Sequence, residues 1–179
     1  TERPIPNSNA VEFIVYTGNA AEGFNQGVEI ELDFAVNERL DLFANIGLLD
    51  TEYQDYVDNS GRDLDGRDQA HAPNFQFFIG GEFALTERLR ARLELEGKDE
   101  YYFSASHDTQ SDAYELLNAS LSYEGDRWGI TLWARNLTDE DYFVRGFFFG
   151  NDPRDFYTAR PFTQLGEPRQ FGASLRVDF

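Results

Sequence analysis

The last residues of the chain alternate strictly between apolar and polar positions. Every second residue from 171 onward is apolar, namely Phe171, Ala173, Leu175, Val177 and Phe179. A period of two predicts a β-strand with one apolar face and one hydrated face. Chain ends usually fray in water, so a strand that closes on a bare phenylalanine is typical of a protein embedded in lipid. The pattern predicts the closing strand of an outer-membrane β-barrel.

The same alternation recurs upstream. It predicts strands at 11–17, 24–36, 40–48, 74–85, 89–97 and 115–124, and one that begins at 128–134 and continues through 142–149. Three carboxylates, Glu29, Glu31 and Asp33, share one face of the second of these strands. Burying three unpaired charges in a packed core would be very unfavourable. That face is therefore expected to line a water-filled lumen or to meet bulk solvent.

The connections alternate in length. Short turns are predicted at 37–39, 86–88 and 125–126, and long connections at 51–73, 99–112 and 150–168. Outer-membrane barrels have short periplasmic turns and long extracellular loops. The fold class predicted is therefore all-β, an antiparallel transmembrane β-barrel. It has seven strands if 11–36 is one strand, and eight if 18–23 is a turn.

The strand count leaves two arrangements open. Bacterial single-chain barrels have an even number of strands, at least about eight. The chain is either a complete eight-stranded barrel with a structural or adhesion role, or the end of a larger barrel. A soluble β-barrel that binds a small ligand is a further alternative, and it requires the apolar positions to converge on a dry centre.

The composition excludes several other classes of protein and of site. The formal charge is −18, from 15 basic and 33 acidic residues, so no basic patch is available to bind nucleic acid. The chain has no cysteine and hence no disulfide or thiolate site. No run approaches the roughly 20 apolar residues of a membrane-spanning helix.

Four short motifs carry a resemblance to a known family. They are Gly27-Val28-Glu29, Leu64-Asp65-Gly66-Arg67 followed by Ala72-Pro73, Asn136-Leu137-Thr138-Asp139 with Tyr142, and Gly166-Glu167-Pro168-Arg169-Gln170-Phe171-Gly172. Each motif is weak alone, but their order and spacing match the same set of strands. Over 11–179 the chain resembles the C-terminal part of the barrel of TonB-dependent outer-membrane receptors.

The resemblance implies a role in uptake rather than in catalysis. Such receptors have roughly 22 strands around a plugged lumen, so 1–179 would be a C-terminal portion of the barrel without the plug or the TonB-binding box. The intact protein would import a scarce nutrient, most often a ferric siderophore, with energy supplied through TonB. Expected partners are membrane lipid and lipopolysaccharide, the rest of the barrel and the plug, TonB and the ligand. The expected location is the outer membrane of a Gram-negative cell.

Aromatic residues beside cations are the candidates for ligand contact. The candidates are Tyr101, Tyr102, Phe103, His107, Arg145 and Phe147, the last of these opening the run Phe147-Phe148-Phe149. Rings and a cation suit an anionic, aromatic siderophore. The same rings also suit an aromatic girdle at the outer membrane surface.

No metal, cofactor or catalytic site is expected. His71 and His107 lack the spacing of a metal site, and the acidic loop from Asp50 to Asp68 lacks the EF-hand spacing. That loop could still bridge divalent ions to lipopolysaccharide. Ser104 and Ser106 near His107 do not make a nucleophile, base and orienting group. Arg90 and Arg92 are expected to face the lumen and to form cross-strand ion pairs with carboxylates such as those on 29–33.

Overall fold

The structure is a computed structural model that describes residues 2–4, 11–13, 22–58 and 61–179. Its strands are β1 (Glu2–Pro4), β2 (Val11–Phe13), β3 (Glu22–Asn37), β4 (Leu40–Gln54), β5 (Phe75–Ala84), β6 (Leu89–Lys98), β7 (Tyr101–Tyr102), β8 (Gln110–Ser111), β9 (Tyr114–Glu124), β10 (Trp128–Arg135), β11 (Phe143–Phe149), β12 (Arg160–Leu165) and β13 (Gln170–Val177). A 3-10 turn occupies Pro153–Asp155. None of the described residues lies in a helix long and apolar enough to cross a membrane.

Seven of the described strands form one antiparallel sheet, in the order β13-β10-β9-β6-β5-β4-β3. Each strand pairs with its neighbours across a short turn or a long connection, in the alternation that the sequence predicts. The all-β, antiparallel fold is therefore confirmed. Three two-stranded units lie outside this main sheet: β1-β2, β7-β8 and β11-β12.

The strand register separates two faces across the main sheet. One cross-strand row consists of Leu32, Ala44, Ile79, Leu95 and Leu117. The row on the opposite face consists of Asp41, Glu82, Arg92, Ser120 and Trp133. Directly paired residues point to the same side of a sheet, so the first row belongs to an apolar face and the second to a polar face.

The apolar face is exposed. Leu93 is 53% exposed, Leu132 51% and Leu175 69%. These side chains do not converge on a dry centre, which contradicts the soluble-barrel alternative. Most of the buried residues lie in or beside the long connections instead, among them Leu64, Phe103 and Ser111.

Both edges of the main sheet are open. Within the described part of the chain, β3 pairs only with β4, and β13 pairs only with β10. The sheet is thus part of a barrel wall and not a closed eight-stranded barrel. The turn considered at 18–23 falls largely on 18–21, which lie outside the described residues.

Over the described part of the chain, two strands differ from their predicted bounds by more than two residues. β4 runs to Gln54 rather than ending at residue 48, because Thr51 to Gln54 still pair with Asn25 to Glu22. The prediction that one strand continues from 128–134 through 142–149 is wrong, because β10 ends at Arg135 and β11 is a separate strand. Asn136 and Asp139 have φ values of 47° and 60°, which lie outside the extended region and stop the strand.

The long connections continue the wall beyond the main sheet. β7 and β8 lie in the long connection between β6 and β9. β11 and β12 lie in the long connection between β10 and β13. The two hairpins touch side by side, since the Ser111 hydroxyl donates a 3.0 Å hydrogen bond to the carbonyl of Phe143. The two hairpins lie at the end of the main sheet where long connections join the strands, which we call the loop end.

Candidate functional site

The polar face carries a concavity of about 780 Å³ towards the loop end of the sheet. Its lining includes Glu29, Glu31, Asn45, Glu96, Lys98 and Tyr142. A larger concavity of about 1110 Å³ lies mainly against apolar-face residues such as Leu42, Leu93 and Leu132. Ordered hydrogen bonding to a polar ligand needs donors and acceptors, so the smaller concavity is the candidate site.

Ion pairs cross the middle of the polar face. Arg90 contacts Glu82 at 2.7 Å, and Arg92 contacts Glu94 at 2.6 Å and Glu82 at 4.0 Å. The expected cross-strand pairing is confirmed for Glu82. It does not extend to the carboxylates at 29–33, with which none of the described cations forms an ion pair. Arg92 also lies 4.4 Å above the ring of Phe43.

Arg67 joins the two long connections that precede β5 and β9. Its guanidinium donates hydrogen bonds to the carbonyls of Ser104 at 2.9 Å and His107 at 2.7 Å. It also lies 3.8 Å from the ring centroid of Tyr102 and 3.3 Å from the carboxylate of Asp108. Its side chain is only 10% exposed. One buried cation therefore fixes the conformation of 104–108 and orients Tyr102.

Arg62 supports the same junction from the edge. It contacts Asp108 at 2.9 Å and Asp58 at 3.4 Å, and it donates to the carbonyl of Ala105. We name the connected parts of 55–58, 61–74 and 99–113, with Arg67 at their centre, the loop cluster. The sequence marks this centre by the motif Leu64-Asp65-Gly66-Arg67, in which Gly66 has a φ of 75° that suits glycine.

Tyr101 and Phe103, two ligand-contact candidates, lie inside the loop cluster. They are 7% and 3% exposed, respectively, and their rings meet edge to face at 5.7 Å. Phe103 also packs directly on Gly146, where an added Cβ would lie 2.2 Å from its ring. Burial raises the pKa of the Tyr101 phenol. In this conformation both rings pack loops together, and direct ligand contact by them stays a prediction.

His107 is also buried, at 6% exposed. Its Nδ1 accepts a 3.2 Å hydrogen bond from the backbone N–H of Thr109, and its ring lies 5.7 Å from that of Phe148. Burial, together with the nearby positive charges of Arg67 and Arg62, lowers the pKa of His107. Asp108 acts in the opposite direction. The imidazole is therefore held neutral within the cluster.

Arg145 and Phe147 lie apart from these buried candidates. Both are exposed, and the Arg145 guanidinium lies 5.1 Å from the ring centroid of Phe147. The six candidates thus divide into a packed group and an exposed pair. Tyr102, half-buried under Arg67, belongs to the packed group.

The acidic loop uses several carboxylates for its own conformation. Asp65 accepts from the backbone N–H of Asp55 at 3.1 Å, and Asp63 accepts from that of Asp65 at 3.0 Å. The bond between Asp63 and Asp65 is a short-range contact of the kind that stabilises turns, and the bond between Asp55 and Asp65 joins two parts of the loop ten residues apart. Across 22–58 and 61–179, no group of three histidine or carboxylate side chains is placed to hold a metal ion.

Comparison with known proteins gives a consistent family. A model of the family "TonB dependent receptor-like, beta-barrel" matches residues 1–137. The ferric yersiniabactin uptake receptor FyuA from Yersinia pestis superposes with a TM-score of 0.75 at 21% identity, over 90% of this chain and 24% of that one.

Two further solved structures are similar. The siderophore receptor PiuA from Acinetobacter baumannii has a TM-score of 0.65 at 17% identity, over 86% of this chain and 21% of that one. The ferric-catecholate import receptor Fiu from E. coli K12 has a TM-score of 0.64 at 17% identity, over 88% and 21%. The chain therefore spans less than a quarter of the length of these receptors, and the likeness shows a shared fold.

Proposed function

The chain belongs to the TonB-dependent receptor β-barrel family, and from this premise we propose that it is the C-terminal part of the barrel of a siderophore-uptake receptor. Barrels of this family lie in the outer membrane of Gram-negative bacteria, and the family consists of transporters rather than enzymes. The ligand proposed is a ferric siderophore, and the energy source proposed is TonB.

One observation carries the proposal: a two-faced sheet with two open edges. An unpaired strand edge is not tolerated in the hydrocarbon of a membrane. β3 and β13, which each have one partner among the described strands, would be completed by further strands of the same barrel. Seven strands are about a third of the roughly 22 in plugged outer-membrane transporters.

The two faces have different proposed partners. The apolar face meets membrane lipid, with lipopolysaccharide above it on the outer side. The polar face meets the plug domain and the passing ligand. Glu29, Glu31 and Asp33, which no described cation neutralises, would be matched there by the plug or by adjoining strands.

The proposed ligand surface is the loop end of the polar concavity. Lys98 lines it and lies 5.9 Å from the ring of Tyr101. An anionic siderophore would be attracted by this ammonium group, while Tyr101, Tyr102, Phe103 and His107 shape the wall behind it. Direct contact by those rings would follow a rearrangement of the loop cluster.

The test is iron uptake by the complete receptor that contains this chain. A strain lacking the receptor should regain radiolabelled ferric-siderophore uptake with the intact gene, and lose it again when TonB is deleted. Lys98→Glu should weaken ligand binding. Arg127→Glu, in the short turn at the opposite end of the sheet, should leave it unchanged. Uptake that persists without TonB would reject the proposal.

A further inference from the structure

Two arginines of the loop cluster converge on one oxygen atom of a single carboxylate. The Oδ1 atom of Asp108 lies 2.9 Å from the guanidinium of Arg62 and 3.3 Å from that of Arg67. Both guanidiniums also donate hydrogen bonds to the carbonyl oxygen of Ala105. Because they share two acceptors, the two positive charges lie side by side, and we call Arg62 and Arg67 the arginine pair.

The fold holds both members of the arginine pair in place. Arg67 donates to the carbonyls of Ser104 and His107, and its side chain is only 10% exposed. Arg62 is 30% exposed and lies 3.4 Å from the shielded carboxylate of Asp58. Groups that are already fixed before a ligand arrives lose little conformational freedom on binding. The arginine pair is therefore preorganised.

Asp108 is held much less firmly than the two cations that it contacts. Its side chain is 73% exposed, although both of its partners are shielded. An ion pair with one partner in water contributes little to stability. Asp108 can accordingly turn into the solvent while the carbonyl contacts of Arg67 remain in place.

The arginine pair offers more hydrogen-bond donors than Asp108 satisfies. A guanidinium can bind an oxyanion through two parallel hydrogen bonds, but here both guanidiniums share one oxygen atom. The Nε of Arg67 is buried and has no hydrogen-bond partner among the described residues. A buried donor without a partner is rare in a folded protein. An anion with several oxygen atoms would serve both guanidiniums better than Asp108 does.

The local charge also favours an anion at this position. The arginine pair carries two positive charges, and Asp58 balances one of them from the shielded side. When Asp108 turns away, one net positive charge remains in a partly buried place, where electrostatic attraction is stronger than in water. The chain as a whole has a formal charge of −18, so this attraction is a local property of the arginine pair.

We propose that the arginine pair binds an oxyanion of an external ligand, a carboxylate or phosphate group, in the place that Asp108 occupies here. Asp108 is then an internal competitor, which the ligand displaces. The inference rests on the proposed function only in placing the loop cluster at the outer surface of the cell. An anionic siderophore and a free anion such as phosphate present the same chemistry to this site.

The test measures the binding of inorganic phosphate to the complete receptor in mild detergent, by the broadening of the phosphorus NMR resonance. Arg62→Gln removes one guanidinium, and Asp108→Ala removes the internal competitor. Glu100→Ala is the matched control, because it removes the same charge from an exposed residue of the same connection that forms no ion pair with a described cation. A gel shift on heating checks that each variant is folded.

We expect Asp108→Ala to bind phosphate about tenfold more tightly, because the anion no longer competes with a charge-assisted contact. Arg62→Gln should bind it about tenfold more weakly, and Glu100→Ala should bind as the unmodified receptor does. If Asp108 only stabilised the loop, its removal would leave phosphate affinity unchanged or lower. An affinity that does not rise in Asp108→Ala, or that rises equally in Glu100→Ala, would overturn the proposal.

Competition identifies the source of the anion and separates this inference from the proposed function. The competitor is the ferric siderophore that the receptor imports in the uptake test. Displacement of bound phosphate would assign the site to the imported ligand, and binding of both together would assign it to a free anion. Absent phosphate binding overturns this inference alone, whereas uptake that persists without TonB rejects the proposed function and leaves phosphate binding unaffected.

Discussion

Asn136 and Glu167 are 31 residues apart in the chain and are joined by a 3.1 Å hydrogen bond from the Asn136 side-chain amide to the Glu167 carbonyl. The same amide donates to the carbonyl of Glu140 at 2.8 Å, and its oxygen accepts from the N–H of Glu140 at 2.8 Å. Asn136 is 3% exposed. The buried side chain of Asn136 therefore ties the end of β10 to the segment that precedes β13.

Two of the sequence motifs meet at this junction. Asp139 accepts from the backbone N–H of Arg169 at 3.1 Å and pairs with its guanidinium at 3.2 Å. Gly166 donates its N–H to the carbonyl of Tyr142 at 2.8 Å, and the Tyr142 ring occupies the space that a Cβ at Gly166 would need. The Asn136 motif and the Gly166 motif are thus the two halves of one structural joint.

Replacing Asn136 tests the strength of this joint. Asn136→Gly keeps the left-handed backbone possible but removes every side-chain hydrogen bond. We expect a loss of roughly 1–3 kcal/mol in unfolding free energy, because buried carbonyls lose their donors. Urea unfolding in lipid vesicles measures it. Asn136→Ala adds backbone strain at φ 47° and should be less stable still. Full stability of the glycine variant would show that the amide contributes nothing.

Replacing Leu93 tests the lipid face. Leu93→Arg places a cation in the middle of the apolar stripe, where an arginine near the bilayer midplane costs roughly 2–4 kcal/mol. Asn45→Arg makes a comparable change at an exposed position of the polar face and should be nearly neutral. The two variants are compared by their folded yield and by urea unfolding in lipid vesicles. Equal effects of the two substitutions would contradict the assignment of faces.

His107 should make the loop cluster sensitive to acid. Its pKa is lowered below the ordinary 6.5, so the opened cluster binds a proton more readily than the closed one. By linkage the stabilisation is fully present above pH 6.5, and is lost as pH falls through the lowered pKa. Hydrogen exchange of 99–113, corrected for intrinsic rates, should therefore rise in mild acid. His107→Gln, which cannot gain the charge, should abolish that rise.

Arg67 should control the coupling between the long connections. Arg67→Lys keeps the charge but loses the planar guanidinium that reaches the Ser104 and His107 carbonyls together. We expect much faster proteolysis of 99–113 in this variant. Arg39→Lys, in the short turn after β3, serves as the control. Unchanged cleavage in Arg67→Lys would mean that packing alone closes the cluster.

The sequence predicts the strands well because their alternation is local. β6 is predicted at 89–97 and spans Leu89–Lys98, since its apolar residues all lie on the apolar face of the sheet and its charged residues on the polar face. The local pattern does not predict the extension of β4, because Thr51 to Gln54 do not continue the apolar alternation and are held by their partners on β3.

The contacts within the loop cluster are not predicted from the sequence for a different reason. Arg67 and His107 are 40 residues apart, and neither pattern nor composition indicates that one donates to the carbonyl of the other. Tyr101 and Phe103 are similar in kind to Phe147 in the sequence, yet they are buried while Phe147 is exposed. The difference arises because the β7-β8 hairpin meets the β11-β12 hairpin. The position of that contact depends on the end of β10 before Asn136.

The most direct test of the two-faced wall is the solvent accessibility of adjacent positions on β6. The chain has no cysteine, so Leu93→Cys and Glu94→Cys each give one defined spin-label site within it. In membranes containing the complete receptor, with any other cysteine removed, the label at 93 should collide frequently with dissolved oxygen and rarely with a water-soluble nickel complex. The label at 94 should show much less collision with oxygen. Equal oxygen accessibility at both positions, or the reverse order, would contradict a wall that has one face in lipid and the other in the barrel interior.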